Sequence, residues 1–156
     1  MKTLNLIIGL IAILPVIGFA QIIEGENGVY YASNETLYQG SYTENYDNGQ
    51  LRTEMVLKNG RIDGLVKTYY ENGNQREIQA YKMGDKNGTW YTFNQNGTKI
   101  GEANYLNNKK NGRWLVFDDN GTLRTEMYYD NGNKTGIWKQ YDTEGNLLSQ
   151  QDFSKK

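Results

Sequence analysis

Short stretches in which apolar and polar residues alternate follow one another along the chain after residue 20, and polar turn residues separate them. Stretches of this length that are rich in aromatic and β-branched residues are typical of β-strands with one covered face. A helical period is confined to residues 1–20. The pattern therefore predicts an all-β protein. Ten strands are expected, at residues 41–46, 51–57, 65–71, 75–81, 89–94, 99–105, 113–118, 123–129, 137–142 and 147–153.

Two series of glycines recur along this region. The number of residues between successive members is the same throughout both series, as it is from Gly49 to Gly73. Asn precedes four of the five glycines in the first series. Self-similarity at a fixed period of about 24 residues indicates a repeat architecture. The first series marks the predicted structural turns and comprises Gly49, Gly73, Gly97, Gly121 and Gly145. The second series begins each unit and comprises Gly40, Gly64, Gly88, Gly112 and Gly136.

Each unit is predicted to be one β-hairpin. Asn-Gly between two apolar stretches favours a type I′ turn, because both of its central residues need positive φ. A looser turn, such as residues 82–87, then leads to the next unit. Hairpins joined by short turns pair with their sequence neighbours. The predicted fold is an elongated, twisted antiparallel meander of about five β-hairpin repeats in a single sheet, with residues 40–156 as the repeat domain and residues 21–39 as an N-terminal cap.

Large side chains are predicted to line up on one face of this sheet. If Asn-Gly is a two-residue turn, Trp114 lies opposite Met127 and Trp90 lies opposite Ala103. Either the sheet curls so that these rings pack on one another, or another molecule covers part of them, because a single sheet has no second layer. The side chains of this candidate binding face are Trp90, Trp114, Trp138, Tyr81, Tyr105, Tyr129 and Met127. By the same register Trp138 faces Gln151, Val66 faces Gln79, and Tyr42 faces Met55.

The other face is predicted to carry charged residues beside aromatic ones. Tyr69 is expected next to Arg76, and Phe117 next to Arg124, as cross-strand cation–π pairs. Acidic residues that recur with the repeat are interpreted as solvated partners of the arginines rather than as catalytic carboxylates. These residues are Glu54, Glu102 and Glu126.

The composition removes several classes of function. The chain has no His and no Cys, so it lacks the residues of a Ser-His-Asp or Cys-His arrangement and of an ordinary zinc site. Residues 118–121, Asp-Asp-Asn-Gly, are interpreted as a hairpin turn rather than a calcium loop. We expect no enzyme, no cofactor and no metal. The net charge of −1 provides no overall attraction for nucleic acid, so we expect no nucleic-acid partner.

Residues 1–20 have the three parts of a secretory signal. Lys2 is the positive residue, residues 4–17 are apolar, and small residues at Gly18 and Ala20 favour cleavage before Gln21. The apolar run is shorter than the roughly 20 residues of a comfortable membrane span. We therefore predict an exported protein, in the periplasm or outside a Gram-negative-type bacterium, with no membrane span after cleavage.

The units share a pattern that identifies a family resemblance. Gly112, Trp114 and Phe117, followed by residues 120–124 (Asn-Gly-Thr-Leu-Arg), give G-x-W-x-x-[YF]…N-G-x-L-R…G-x-K-x-G. This resembles the MORN repeat in its bacterial variant form, over about residues 40–153. The resemblance implies an elongated sheet of hairpins that serves as a scaffold or interaction surface, and some bacterial members carry an antitoxin label. Val66 and Ile78 depart from the pattern, so the second unit is expected to be the least well packed.

Three functional hypotheses follow. The first is a non-enzymatic scaffold in the cell envelope that binds an unidentified protein partner through the aromatic residues. The second is a module that binds a glycan or another extended ligand by stacking on the same rings. The third, a periplasmic immunity or antitoxin-like protein, is implied by the family resemblance alone.

Overall fold

The computed structural model describes residues 22–25 and 28–154 of the 156-residue chain. The predicted signal segment lies outside the described residues. In the part of the chain that is described, no helix is long and apolar enough to cross a membrane. The strands are β1 (Ile22–Glu24), β2 (Tyr30–Ala32), β3 (Gly40–Asn45), β4 (Leu51–Lys58), β5 (Arg61–Ile62), β6 (Gly64–Tyr69), β7 (Gln75–Lys82), β8 (Asp85–Lys86), β9 (Gly88–Phe93), β10 (Lys99–Leu106), β11 (Lys109–Lys110), β12 (Gly112–Phe117), β13 (Leu123–Asp130), β14 (Asn133–Tyr141) and β15 (Leu147–Asp152).

One large antiparallel sheet contains β3 to β15, and its strands follow the order of the sequence. The short strands β5, β8 and β11 each pair with the strand before them and continue, after a kink at a glycine, into β6, β9 and β12. In the fifth unit the equivalent short segment is part of β14, which runs without a break from the turn into the rest of the strand. The predicted meander of five hairpin units in a single sheet is confirmed. The strands β1 and β2 form a separate small sheet.

A three-residue loop closes each hairpin, and the prediction of a type I′ turn at Asn-Gly is wrong. In the first hairpin, Tyr46 N–H donates to Gln50 O at 2.8 Å, and Gly49 N–H donates to Tyr46 O at 2.9 Å. Gly49 has φ +83°, whereas Asn48 is not among the residues with positive φ. This is a type I turn followed by a left-handed glycine. The same glycine conformation recurs at Gly73 (φ +85°), Gly97 (+84°), Gly121 (+87°) and Gly145 (+85°).

A one-residue bulge beside each loop cancels the shift that the third loop residue introduces. In the first hairpin the pairing shifts between Glu44 and Asn45, and the other four hairpins shift at the equivalent place. A bulge places two residues of one strand opposite one residue of its partner. Beyond the bulge, the residues are therefore paired as they would be with a two-residue turn. Farther from the loop, the predicted register is therefore confirmed. The pairs are Trp114–Met127, Trp90–Ala103, Trp138–Gln151, Val66–Gln79 and Tyr42–Met55.

Within the bulge itself the predicted pairs are wrong. Phe117 lies opposite Leu123, and Lys99 Nζ rather than Arg124 covers the Phe117 ring, 4.9 Å from its centroid. A register that treats the turn as two residues long misplaces every side chain between the loop and the bulge. The other expected pair fails for the same reason, with Tyr69 opposite Gln75 rather than Arg76.

The links between hairpins are tight two-residue turns, not the looser turns expected. Asn59 and Gly60 have φ values of +50° and +71°. Positive φ at both central residues is the geometry of a type I′ turn. The equivalent turns are Met83-Gly84, Asn107-Asn108 and Asn131-Gly132, all with positive φ at both residues. We call the side of the sheet that carries these turns the turn edge, and the opposite side, with the three-residue loops, the loop edge.

Hydrogen bonds join neighbouring units along both edges. At the turn edge, the N–H of one residue in each turn donates to a carbonyl of the preceding unit, as Gly84 N–H does to Ile62 O at 2.8 Å. At the loop edge the donors are side chains, as when Tyr70 Oη–H donates to Phe93 O at 2.8 Å. Tyr46 donates in the same way to Tyr69 O at 2.7 Å, and Asn94 to Asp119 O at 3.0 Å, while Asn72 and Asn74 both donate to Gln95 O. Asp118 occupies the equivalent position in the fourth unit, and an ionised carboxylate cannot donate.

A buried cluster lies at the N-terminal end of the sheet. Leu57 is 1% exposed and packs with Met55 and Val66, while Tyr30 and Tyr38 of the N-terminal segment cover the cluster. Burial of such side chains stabilises a fold by about 1.5–3 kcal/mol each. The expectation that the second unit is the least well packed is therefore wrong, because Val66, which replaces Trp, lies in this cluster.

Tyr30 of the N-terminal segment makes a large contribution to the dependence of stability on alkaline pH. Burial, together with the Glu24 carboxylate, raises the pKa of Tyr30 from 10.0 to about 12. Folded Tyr30 therefore keeps its proton at pH values where the unfolded chain has lost it, and the free energy of unfolding falls as pH rises from about 10 to 12. We expect Tyr30→Phe to flatten this fall, measured as urea midpoints between pH 9 and 12. Identical slopes for the two proteins would show that Tyr30 does not contribute to this fall.

Candidate binding face

Seven aromatic rings form a continuous stack along one face of the sheet. Successive ring centroids are 4.8–5.4 Å apart, and the planes are tilted by 45–64°. These separations lie in the range that favours aromatic pairs. Of the two outcomes expected for the rings, the structure shows the ladder packing on itself. In order, this aromatic ladder consists of Tyr81, Trp90, Tyr105, Trp114, Tyr129, Trp138 and Phe153, and the face that carries it is the ladder face.

All three tryptophans use their indole N–H inside the fold. Trp114 Nε1–H donates to Asn104 O at 2.9 Å, and this carbonyl also accepts the Asn111 N–H at 2.9 Å. The bond reaches from one unit to the preceding unit, at the point where β10 and β12 separate. The other two indoles bond in the same way, Trp90 to Ala80 O and Trp138 to Tyr128 O, each at 3.0 Å.

Three lysines cover the ladder, and sequence reasoning gave them no role. Lys110 Nζ lies 4.1 Å from the Trp114 centroid and 4.8 Å from that of Tyr129. A cation at this distance over an aromatic face is attracted by the ring quadrupole. The repeat pattern contained the signal, because this lysine is the K of G-x-K-x-G. Its equivalents are Lys86, over Trp90 and Tyr105, and Lys134, over Trp138 and Phe153.

The ladder side chains named from the sequence are half-buried rather than fully buried. Burial raises the pKa of Tyr105, and burial is also the largest cause of the raised pKa of Tyr81. Met127 lies on the same face, with its sulfur 3.9 Å from the Tyr129 hydroxyl. The structure therefore brings together every side chain of the candidate binding face. Whether a partner covers them stays a prediction.

The acidic residues of the opposite face are less exposed than expected. Glu102 exposes 13% of its side chain and contacts Lys99 Nζ at 2.9 Å and Arg113 at 3.5 Å. Glu126 exposes 14%, pairs with Lys139 at 3.8 Å and accepts a hydrogen bond from the Tyr128 hydroxyl at 2.8 Å. The interpretation of these two residues as solvated is wrong, because both side chains are mostly buried. Glu102 does pair with an arginine, Arg113, whereas Glu126 pairs with Lys139 and the Tyr128 hydroxyl.

Glu54 follows the same pattern with more exposure. Hydrogen bonds from Lys67 Nζ at 2.9 Å and the Tyr69 hydroxyl at 2.8 Å lower the pKa of this carboxyl. Each of these glutamates therefore joins two adjacent units through charged or phenolic neighbours. Among the described residues, His, Cys, Asp and Glu side chains form no group of three that could hold a metal ion. Residues 118–121 form a hairpin loop.

The comparison with protein families agrees with this geometry. A family model described as "MORN repeat variant" matches five consecutive segments, residues 38–59, 62–83, 86–107, 110–131 and 134–155. These segments cover well over half of the chain and coincide with the five hairpins. The chain belongs to the MORN repeat variant family. None of the curated proteins matches it.

The boundaries of the MORN repeat matches keep within one unit the residues that contact one another on the ladder face, as the third match shows. The third match begins at Lys86 and ends at Asn107, so it contains the lysine, the tryptophan and the tyrosine that contact one another on the ladder face. The glycine-based boundary used above falls two residues later and separates Lys86 from Trp90. MORN repeats form a non-enzymatic scaffold, and in this chain the ladder joins each repeat to the next.

Proposed function

We propose that this MORN repeat protein is exported and binds another protein in the cell envelope through its ladder face. The observation that carries the proposal is the ladder itself, a half-exposed aromatic surface held rigid by hydrogen bonds and by cation–π contacts. A surface that is already ordered loses little entropy on binding, and aromatic residues are enriched in protein interfaces. Export rests on the signal pattern of residues 1–20.

A row of small side chains extends this surface beyond the rings. Val116 lies opposite Thr125 and Gly101, and Thr92 lies opposite Gly101. Val116 is two residues from Trp114 in β12 and so shares its face. It is 45% exposed, although it is apolar. An exposed apolar side chain on a strand that is paired on both sides is suited to the core of a protein interface.

The lysines favour a protein over a glycan as the partner. A sugar that stacks on tryptophan needs an open ring face, and Lys86, Lys110 and Lys134 lie over those faces at 4.1–4.5 Å from the Trp centroids. A glycan would have to displace them. No contact in the described fold specifically supports the antitoxin-like role, which depends on the family resemblance.

Val116→Arg tests the ladder face without disturbing the rings. We expect it to reduce capture of a partner from envelope extract by about tenfold, because a charge would enter the core of the interface. The matched control is Ile137→Arg, since Ile137 is similarly exposed (40%) but neighbours Trp138 in β14 and faces the other way. Capture is measured by quantitative pull-down, with a glycan array in parallel. Equal capture by both variants, or binding to a glycan alone, would contradict the proposal.

A further inference from the structure

Opposite charges line the two long edges of the sheet, although the net charge of the chain is only −1. The four turns, residues 58–62, 82–86, 106–110 and 130–134, contain seven basic and two acidic residues. The five loops, centred on the first glycine series, contain six acidic residues and no basic residue. The basic residues of the turn edge are Lys58, Arg61, Lys82, Lys86, Lys109, Lys110 and Lys134. The acidic residues of the loop edge are Asp47, Glu71, Asp118, Asp119, Asp142 and Glu144.

One turn differs from the other three in a way that does not serve folding. Met83 has φ +51° at the position where the equivalent turns have Asn59, Asn107 and Asn131. A left-handed conformation suits Asn and costs a residue such as Met about 1–2 kcal/mol. The Met83 side chain is also 40% exposed, so packing does not offset this strain. Strained positions of this kind are characteristic of functional sites.

Basic side chains outnumber the acidic ones, Asp63 and Asp85, around Met83, and hydrogen bonds hold the backbone there. Arg61 lies beside Gly84, with Nη1 3.3 Å from the point where a Cβ would stand, and Lys82 is exposed. On the next turn, Leu106 is 49% exposed. Met83 N–H donates to Asp63 Oδ1 at 3.1 Å. The turns on either side are bonded to this one through Ile62 O and Asn108.

We propose that this part of the turn edge docks an acidic, extended segment of a partner protein that carries an apolar residue for Met83. Basic side chains on both sides of Met83 supply the charge complementarity, and the exposed methionine supplies an adaptable apolar contact. Lys86 links the turn edge to the ladder face, because its backbone lies in a turn and its ammonium group lies over the Trp90 ring. The inference therefore rests on the proposed function and specifies the chemistry of the partner.

The test uses a fluorescein-labelled peptide of glutamates with one central leucine, and fluorescence anisotropy with the full chain. We expect saturable binding that weakens as salt is added. Met83→Asn should weaken binding by about fivefold. The melting temperature should stay equal or rise, because asparagine suits this turn. Lys82→Glu combined with Lys109→Glu should weaken binding by more than about tenfold. Leu148→Asn is the matched control, because Leu148 is 65% exposed but lies near the loop edge, and it should bind as the wild type does.

Three results would overturn the docking assignment. They are failure of the acidic peptide to bind, equal affinity of the wild type and Met83→Asn, and a preference for the same peptide with lysines in place of glutamates. Binding to phosphatidylserine vesicles with the same variant dependence, but not to the peptide, would replace the protein segment by a membrane surface. If Val116→Arg abolishes partner capture while Met83→Asn leaves peptide binding unchanged, this assignment fails and the proposed function survives.

Discussion

Replacing Trp114 by alanine is expected to lower the free energy of unfolding by about 3 kcal/mol, near the lower end for loss of a packed tryptophan because the ring is only half-buried. The substitution removes contacts with Tyr105 and Tyr129, at centroid distances of 5.2 and 5.4 Å, and leaves Lys110 with the Tyr129 ring alone. It also removes the hydrogen bond to Asn104 O. Urea unfolding followed by circular dichroism measures the loss.

Trp114→Phe is the control that separates these contributions. Phenylalanine keeps a ring between the two tyrosines but has no N–H, so we expect a smaller loss, of about 1–2 kcal/mol. A loss below about 1 kcal/mol for Trp114→Ala would mean that the ladder does not hold the repeats together. In that case the rings would be more easily explained as a binding surface alone.

Gly121→Val is expected to destabilise the protein by about 2–3 kcal/mol. Gly121 has φ +87°, a conformation that a β-branched residue strongly disfavours, and a Cβ there would lie 3.2 Å from Thr98 Cγ2. The loop could not keep its hydrogen bond from Gly121 N–H to Asp118 O without this conformation. The measurement is the shift in denaturant midpoint.

Gly101→Val provides the matched comparison within the neighbouring hairpin. Gly101 lies in β10 without positive φ, and a Cβ there would be at ordinary contact distance, 3.4 Å, from Thr92 Cβ. We expect its free energy of unfolding to stay within about 0.5 kcal/mol of the wild type. Equal losses for the two variants would contradict the assignment of Gly121 to a left-handed loop position.

The repeat, the strands and most of the register could be predicted because they depend on regularities of spacing. The constant glycine interval and the alternation of side chains determine which residues share a face. The prediction that Trp114 opposes Met127 was confirmed although the loop was misread. The loop and the bulge each add one residue, on opposite strands, and the two errors cancel.

Contacts that depend on how strands separate could not be predicted. Lys86 is four residues from Trp90, and its ammonium reaches the ring only because β8 ends and the chain kinks at Gly88. The partners of Glu102 and Glu126 on neighbouring strands, Arg113 and Lys139, are residues that no local pattern connects to them. Sequence reasoning therefore located the candidate face but missed the lysines that cover it.

Asp118 makes the junction between the last two repeats different from the earlier junctions. Tyr46, Tyr70 and Asn94 each fasten their loop to the following unit, whereas no hydrogen bond among the described residues joins the loop at Asp118 to the loop at Asp142. The turn edge stays fastened there through Gly132 N–H and Lys110 O, at 2.8 Å. The fourth and fifth repeats are therefore joined by the pairing of β13 with β14, by the Glu126 contacts and by the turn edge, without the loop-to-loop hydrogen bond that the first three junctions have.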